Sequence, residues 1–142
     1  MKVHFGFFLL LTVLQQCTTA KTSSNLDANI TYTAYSRGFF KEVHVRQNQF
    51  AVVEKRGADL QWKSLSAEDK KSVFEALKGI NLNKISTLEA PTNKRFHDGA
   101  AIAQLKVETK TDTFESAAFD HGNPPQEIAT LVEQLLKLES KP

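Results

Sequence analysis

Seven residues, Phe119-Asp120-His121-Gly122-Asn123-Pro124-Pro125, separate two periodicities. Before them, apolar and polar residues alternate as in a strand; after them, Ile128, Leu131, Val132, Leu135 and Leu136 recur at helical spacing. A chain that changes period so abruptly must turn its last strand into its last helix there, and the residue types suit that corner. Gly122 can take positive φ. Asn123 can cap a helix through its side-chain oxygen, Pro124 suits a first helical position that needs no N–H, and Gln126 follows Asn123 by three residues as in a capping box. The last helix is therefore expected from Pro124 to about Leu138, with Glu139-Ser140-Lys141-Pro142 as a frayed tail.

The rest of the chain can be divided by the same reasoning. Ile30 to Ser36 is rich in β-branched and aromatic residues and reads as a strand. Phe39 to Arg46 follows Arg37-Gly38, with Phe39, Val43 and Val45 on one face and Glu42, His44 and Arg46 on the other. Phe50 to Lys55 makes a third strand after a turn at Gln47-Asn48-Gln49. Ser66, with Asp69 three residues on, opens a helix whose apolar stripe is Val73, Phe74, Leu77 and Ile80, and Gly79 ends it. Leu82, Ile85 and Leu88 recur every third residue, which predicts a helical turn pressed onto the core. Ala90 to Gly99 is a polar connection. Ala100 to Thr109 and Thr113 to Phe119 are a fourth and a fifth strand, joined at Lys110-Thr111-Asp112. The order βββαββα with tight turns predicts an α+β fold, a mostly antiparallel sheet of about five strands with two amphipathic helices on one face.

The N-terminus reads as an address. Lys2 precedes an apolar run from Phe5 to Leu14, about half the roughly 20 residues that a membrane-spanning helix needs. Positive charge, a short apolar core and then small polar residues form the pattern of a secretory signal peptide. Leu14-Gln15-Gln16-Cys17 resembles the lipobox of bacterial lipoproteins, which implies lipid attachment at Cys17; Gln16 departs from the small residue usual before the cysteine. The competing cut follows Thr18-Thr19-Ala20 and would leave a soluble secreted chain. Residues 1–16 are thus expected as a signal segment, 17–28 as a polar tether and 29–140 as a single α+β domain. Cys17 is the sole cysteine, so no disulfide framework forms within the chain.

The formal net charge is +2 and falls to +1 without the Lys2-bearing segment, so charge makes no case for nucleic acid. The strings Glu89-Ala90-Pro91-Thr92-Asn93-Lys94-Arg95 and Phe119 to Pro125 resemble a family of small exported bacterial proteins with no assigned activity. That resemblance implies an exported domain and brings no catalytic residues with it.

Two mirrored tetrads, Phe96-His97-Asp98-Gly99 and Phe119-Asp120-His121-Gly122, flank the fourth and fifth strands. Imidazole with carboxylate suits a transition metal or a general base. A hairpin turning at Lys110 to Asp112, however, pairs Asp120 and His121 with Ile102 and Ala101 and leaves His97 and Asp98 further along. Lys94, Arg95 and His97 could bind an anion, and Tyr32, Tyr35 and His44 could form an exposed aromatic sheet face. The candidate ligand-binding residues are therefore Lys94, Arg95, His97, Asp98, Asp120 and His121. No residue is assigned a catalytic or metal-binding role, and no cofactor is expected. His-Glu-x-x-His, Gly-x-Ser-x-Gly and phosphate-loop motifs do not occur. The expectation is a lipid-anchored envelope protein that binds protein, peptide or glycan. The alternatives are a small inhibitor of a foreign hydrolase and a metal-dependent enzyme.

Overall fold

The computed structural model describes residues 27–140. The expected signal segment, Cys17, most of the tether, Lys141 and Pro142 lie outside them. The chain runs β1 (Asn29–Tyr35), β2 (Phe40–Arg46), β3 (Gln49–Val53), β4 (Lys63–Ser64), α1 (Ala67–Lys78), β5 (Ile102–Glu108), β6 (Thr113–Glu115), β7 (Phe119–Asp120) and α2 (Gln126–Lys137). Short 3₁₀ turns occupy Leu82–Thr87, Lys94–His97 and Leu138–Ser140. The fold is α+β as expected. Its sheet has the order β4-β3-β2-β1-β5-β6, with β7 also on β5, and every pairing is antiparallel.

All five expected strands are present, and the larger count has two sources. The first is β4, a two-residue strand added to β3 through Phe50↔Lys63 and Gln49↔Ser64. The second is an interruption of the expected fifth strand. Lys106 pairs with Glu115, yet Ala103 pairs with Phe119, so Gln104 and Leu105 face three residues, Ser116 to Ala118. This is a β-bulge. Ser116 closes it: its N–H donates to the Leu105 carbonyl at 2.9 Å, and its Oγ accepts from Leu105 N at 3.0 Å. A one-residue register shift exchanges the faces of every following side chain. The bulge therefore turns Phe119 and His121 to the helix-covered face and Asp120 to the other. The expected pairing of Asp120 with Ile102 and His121 with Ala101 is realised through it.

The core lies between the sheet and the two helices. Ile30, Tyr32 and Ala34 of β1 are flanked by Val45 and Val43 of β2 and by Val107, Leu105 and Ala103 of β5, all buried. Against them pack Val73 of α1, Ile85, and Ile128, Leu131, Val132 and Leu135 of α2. Full burial of each large aliphatic side chain contributes about 1.5–3 kcal/mol. The threefold spacing of Leu82, Ile85 and Leu88 appears as the 3₁₀ turn Leu82–Thr87, with Ile85 buried. Ser66 caps α1, its Oγ accepting from Asp69 N at 3.0 Å.

Three expectations are corrected. Asn123 does not cap α2: the helix begins at Gln126, Pro125 holds the N-cap position, and no side chain caps there. Pro125 keeps the residue before it out of the helical region, so Pro124 cannot be a first helical residue. Asn123 N instead donates to the Asp120 carbonyl at 2.8 Å and closes the corner. Gly122 takes φ +87 in that corner, as expected. Secondly, Tyr32 is fully buried in the core, because it alternates with Thr31 and Thr33 on β1; only Tyr35 and His44 lie on the outer face. Thirdly, Glu139 is held rather than frayed: its carboxylate meets Lys41 Nζ at 2.5 Å, above a fully buried Leu138.

Candidate functional site

Asp120 is fully buried, and its carboxylate organises the connection between α1 and β5. The Thr92 hydroxyl donates to Oδ2 at 2.5 Å, and the Lys94 backbone N–H donates to the same oxygen at 2.7 Å. The Arg95 backbone N–H and its Nη1 donate to Oδ1 at 3.0 and 3.1 Å. Arg95 Nη1 also donates to the Thr92 carbonyl at 2.8 Å, so the turn is closed on itself. Burial alone would raise the Asp120 pKa. The bonds from Thr92, from the Arg95 and Lys94 backbone and from the Arg95 side chain outweigh it and hold the carboxyl well below the usual carboxylate range. An ionised carboxylate sealed from water is tolerated when paired and fully hydrogen-bonded, which is the condition met here.

The segment that Asp120 holds carries its apolar side chain outward. Phe96 is 69 % exposed, the most exposed large hydrophobic side chain among the described residues, and the Arg95 guanidinium lies 4.3 Å from its ring centroid. Asp98 ends the 3₁₀ turn in the left-handed region at φ 54, and Gly99 N donates back to the Lys94 carbonyl at 2.9 Å. The loop from Thr92 to Gly99 is thus pre-shaped.

His121 points to the opposite side of the strand. Its Nδ1 shares a 2.6 Å hydrogen bond with the Tyr32 hydroxyl, and its ring lies 5.1 Å from Phe39. Burial, then the nearby Lys41 charge, lower its pKa, while Glu139 pulls the other way. Burial raises the Tyr32 phenol. Lys41, on the inward face of β2, ties this group to Glu139 and, at 3.8 Å, to Glu54.

The six candidate residues therefore divide. Arg95 and Asp120 meet directly, Lys94 joins them through its backbone, Asp98 lies at the end of the same turn, His97 is exposed and His121 belongs to the core-side group. No group of three His, Cys, Asp or Glu residues suited to a metal ion occurs among the described residues. Sequence reasoning overlooked Thr92, Lys41, Arg37 and Arg56. A signal existed for Lys41, which shares the parity of Val43 and Val45 on β2. None existed for Arg37 and Arg56, which reach the site from distant turns and line a hollow with Tyr35, Arg95 and Asp98.

Comparison with known protein families, curated proteins and solved structures finds no match for this chain. No helix among the described residues is long and apolar enough to cross a membrane.

Proposed function

We propose that this chain is an exported bacterial envelope protein, lipid-anchored through Cys17, whose folded part is a non-enzymatic binding module that offers the Thr92–Gly99 loop to a protein partner. One observation carries the binding role: a fully buried carboxylate accepts four hydrogen bonds from a loop whose Phe96 side chain faces solvent. A loop already held in shape loses little conformational entropy on binding, and a projecting aromatic ring is a common interface anchor. The lipobox-like Leu14 to Cys17 and the polar stretch that follows support the anchoring. Two chains of lipid hold a protein stably where one does not.

Capture from envelope extract is compared for the wild type and Phe96→Ser. A partner retained by the wild type and lost by the variant, with unchanged melting temperatures, is expected; equal capture by both overturns the loop's role. Metabolic labelling with a fatty-acid analogue tests the anchor. Label on the wild type and none on Cys17→Ser is expected, whereas an unlabelled wild type beginning at Lys21 overturns it. The same pre-formed loop favours a second reading, inhibition of a foreign hydrolase. That reading predicts inhibition in a protease and lysozyme panel that disappears when Thr92–Gly99 is replaced by Gly/Ser.

A further inference from the structure

A hollow of about 380 Å³ lies beside the bolted loop, at the end of the outer sheet face where β1 turns into β2. Tyr35, Arg37, Arg56, Arg95, Asp98 and Ile102 line it. Three chain segments thus bring guanidinium groups to one concavity. Arg95 is fixed by Asp120. Arg56 lies over two rings, its guanidinium carbon 5.3 Å from the Tyr35 ring centroid and 5.0 Å from that of Phe40. Arg37 is exposed on the turn, and neither it nor Arg56 has a carboxylate within ion-pair distance among the described residues.

We propose that this hollow binds a side-chain carboxylate of an acidic peptide segment, with Arg37 and Arg56 as the contacting cations and Phe96, which meets the hollow's Arg95, taking an adjacent apolar side chain; this rests on the loop's binding role. The Tyr35 and Phe40 rings hold Arg56 at the hollow by cation–π attraction, and a planar guanidinium fork matches a carboxylate in two parallel hydrogen bonds. The Asp120 charge is neutralised within its own loop, so the unpaired guanidinium groups outnumber Asp98. Asp98 offsets one of the two unpaired guanidinium charges at the hollow, so a single carboxylate balances what is left, whereas a phosphate dianion would leave the site with excess negative charge. A membrane surface suits the site less, since the cations converge in a concavity and the chain carries no run of lysine or arginine.

The test is titration calorimetry on the full chain with acetyl-Phe-Glu-Glu-Phe-amide, its glutamine counterpart, inorganic phosphate, and vesicles of phosphatidylglycerol with phosphatidylcholine, all at one ionic strength. Saturable binding of the glutamate peptide is expected, at least about tenfold tighter than the glutamine peptide, the loss that removal of a charge-assisted hydrogen bond brings. Arg37→Gln and Arg56→Gln should each weaken it by about tenfold. Asp98→Asn, which keeps a residue type tolerant of positive φ, should tighten it severalfold. Arg37 is exposed on its turn, so its variant should fold as the wild type does, and an unchanged melting temperature confirms that it reads binding alone. Equal binding of the two peptides, indifference to both arginine substitutions, or weaker binding by Asp98→Asn overturns the proposal. So does vesicle binding that Arg37→Gln abolishes without any peptide response. If the hollow fails in this way while Phe96→Ser still loses the envelope partner, the loop's role stands alone; if peptide binding holds and capture ignores Phe96, the loop's role is what fails.

Discussion

Replacing Gly122 by alanine isolates the strain of the corner on which Asp120 and His121 depend. Gly122 has φ +87, and a Cβ built there meets no atom within 4 Å. Steric collision is therefore absent, and the whole cost is that of placing an L-residue in the left-handed region, about 1–2 kcal/mol. For a domain of this size that corresponds to a melting-point fall of roughly 4–10 °C. Gly38 provides the control: its Cβ position is equally open and its φ lies outside the left-handed region. Gly38→Ala should leave stability unchanged or raise it by up to about 1 kcal/mol, because alanine restricts the unfolded chain. Urea unfolding measures both, with the slope checked for constancy so that midpoint shifts report stability. Gly122→Asn should recover part of the loss, since asparagine tolerates positive φ. If Gly122→Ala unfolds with the wild type, or Gly38→Ala loses as much, the account of the corner as a strained turn is wrong.

Asp120→Asn should loosen the loop it holds: hydrogen exchange at the Lys94 and Arg95 amides should rise steeply while the β1–β2 ladder stays protected, and unchanged exchange would refute the bolt. Ser66→Ala should cost about 1 kcal/mol through loss of the α1 cap, whereas Asn123→Ala should stay within about 0.5 kcal/mol because its side chain caps nothing; urea midpoints for the pair decide. His121 has a lowered pKa in the folded state, so the unfolded chain binds its proton first as pH falls below about 6.5. Its contribution is complete above that value and declines below it, and His121→Gln should flatten the fall in stability between pH 7 and pH 5. A wild type more stable at pH 5 than at pH 7, with the variant flat, would reverse the assignment.

Local patterns determined much of this protein. Two-residue alternation placed β1, β2, β3 and β5, a capping box opened α1, and threefold spacing marked the 3₁₀ turn at Ile85, because each depends only on which residues share a face over one or two turns of chain. The corner glycine was legible for the same reason, and Pro125 was enough to delay α2 once its effect on Pro124 is counted. Tertiary structure decided the rest. Whether Asp120 faces the core or the loop depends on a single extra residue at Ser116 to Ala118, and a bulge follows from how β6 and β7 meet β5, not from their composition. Thr92 and Arg95 become partners of Asp120 only when a strand some 25 residues later arrives beneath them. Arg37, Arg56 and Arg95 share a hollow only after two turns and a loop converge at one end of the sheet. Periodicity records which way a side chain points along its own element. What it then meets is a matter of long-range packing, which is why the strands could be read from the chain and the carboxylate that holds the Thr92–Gly99 loop could not.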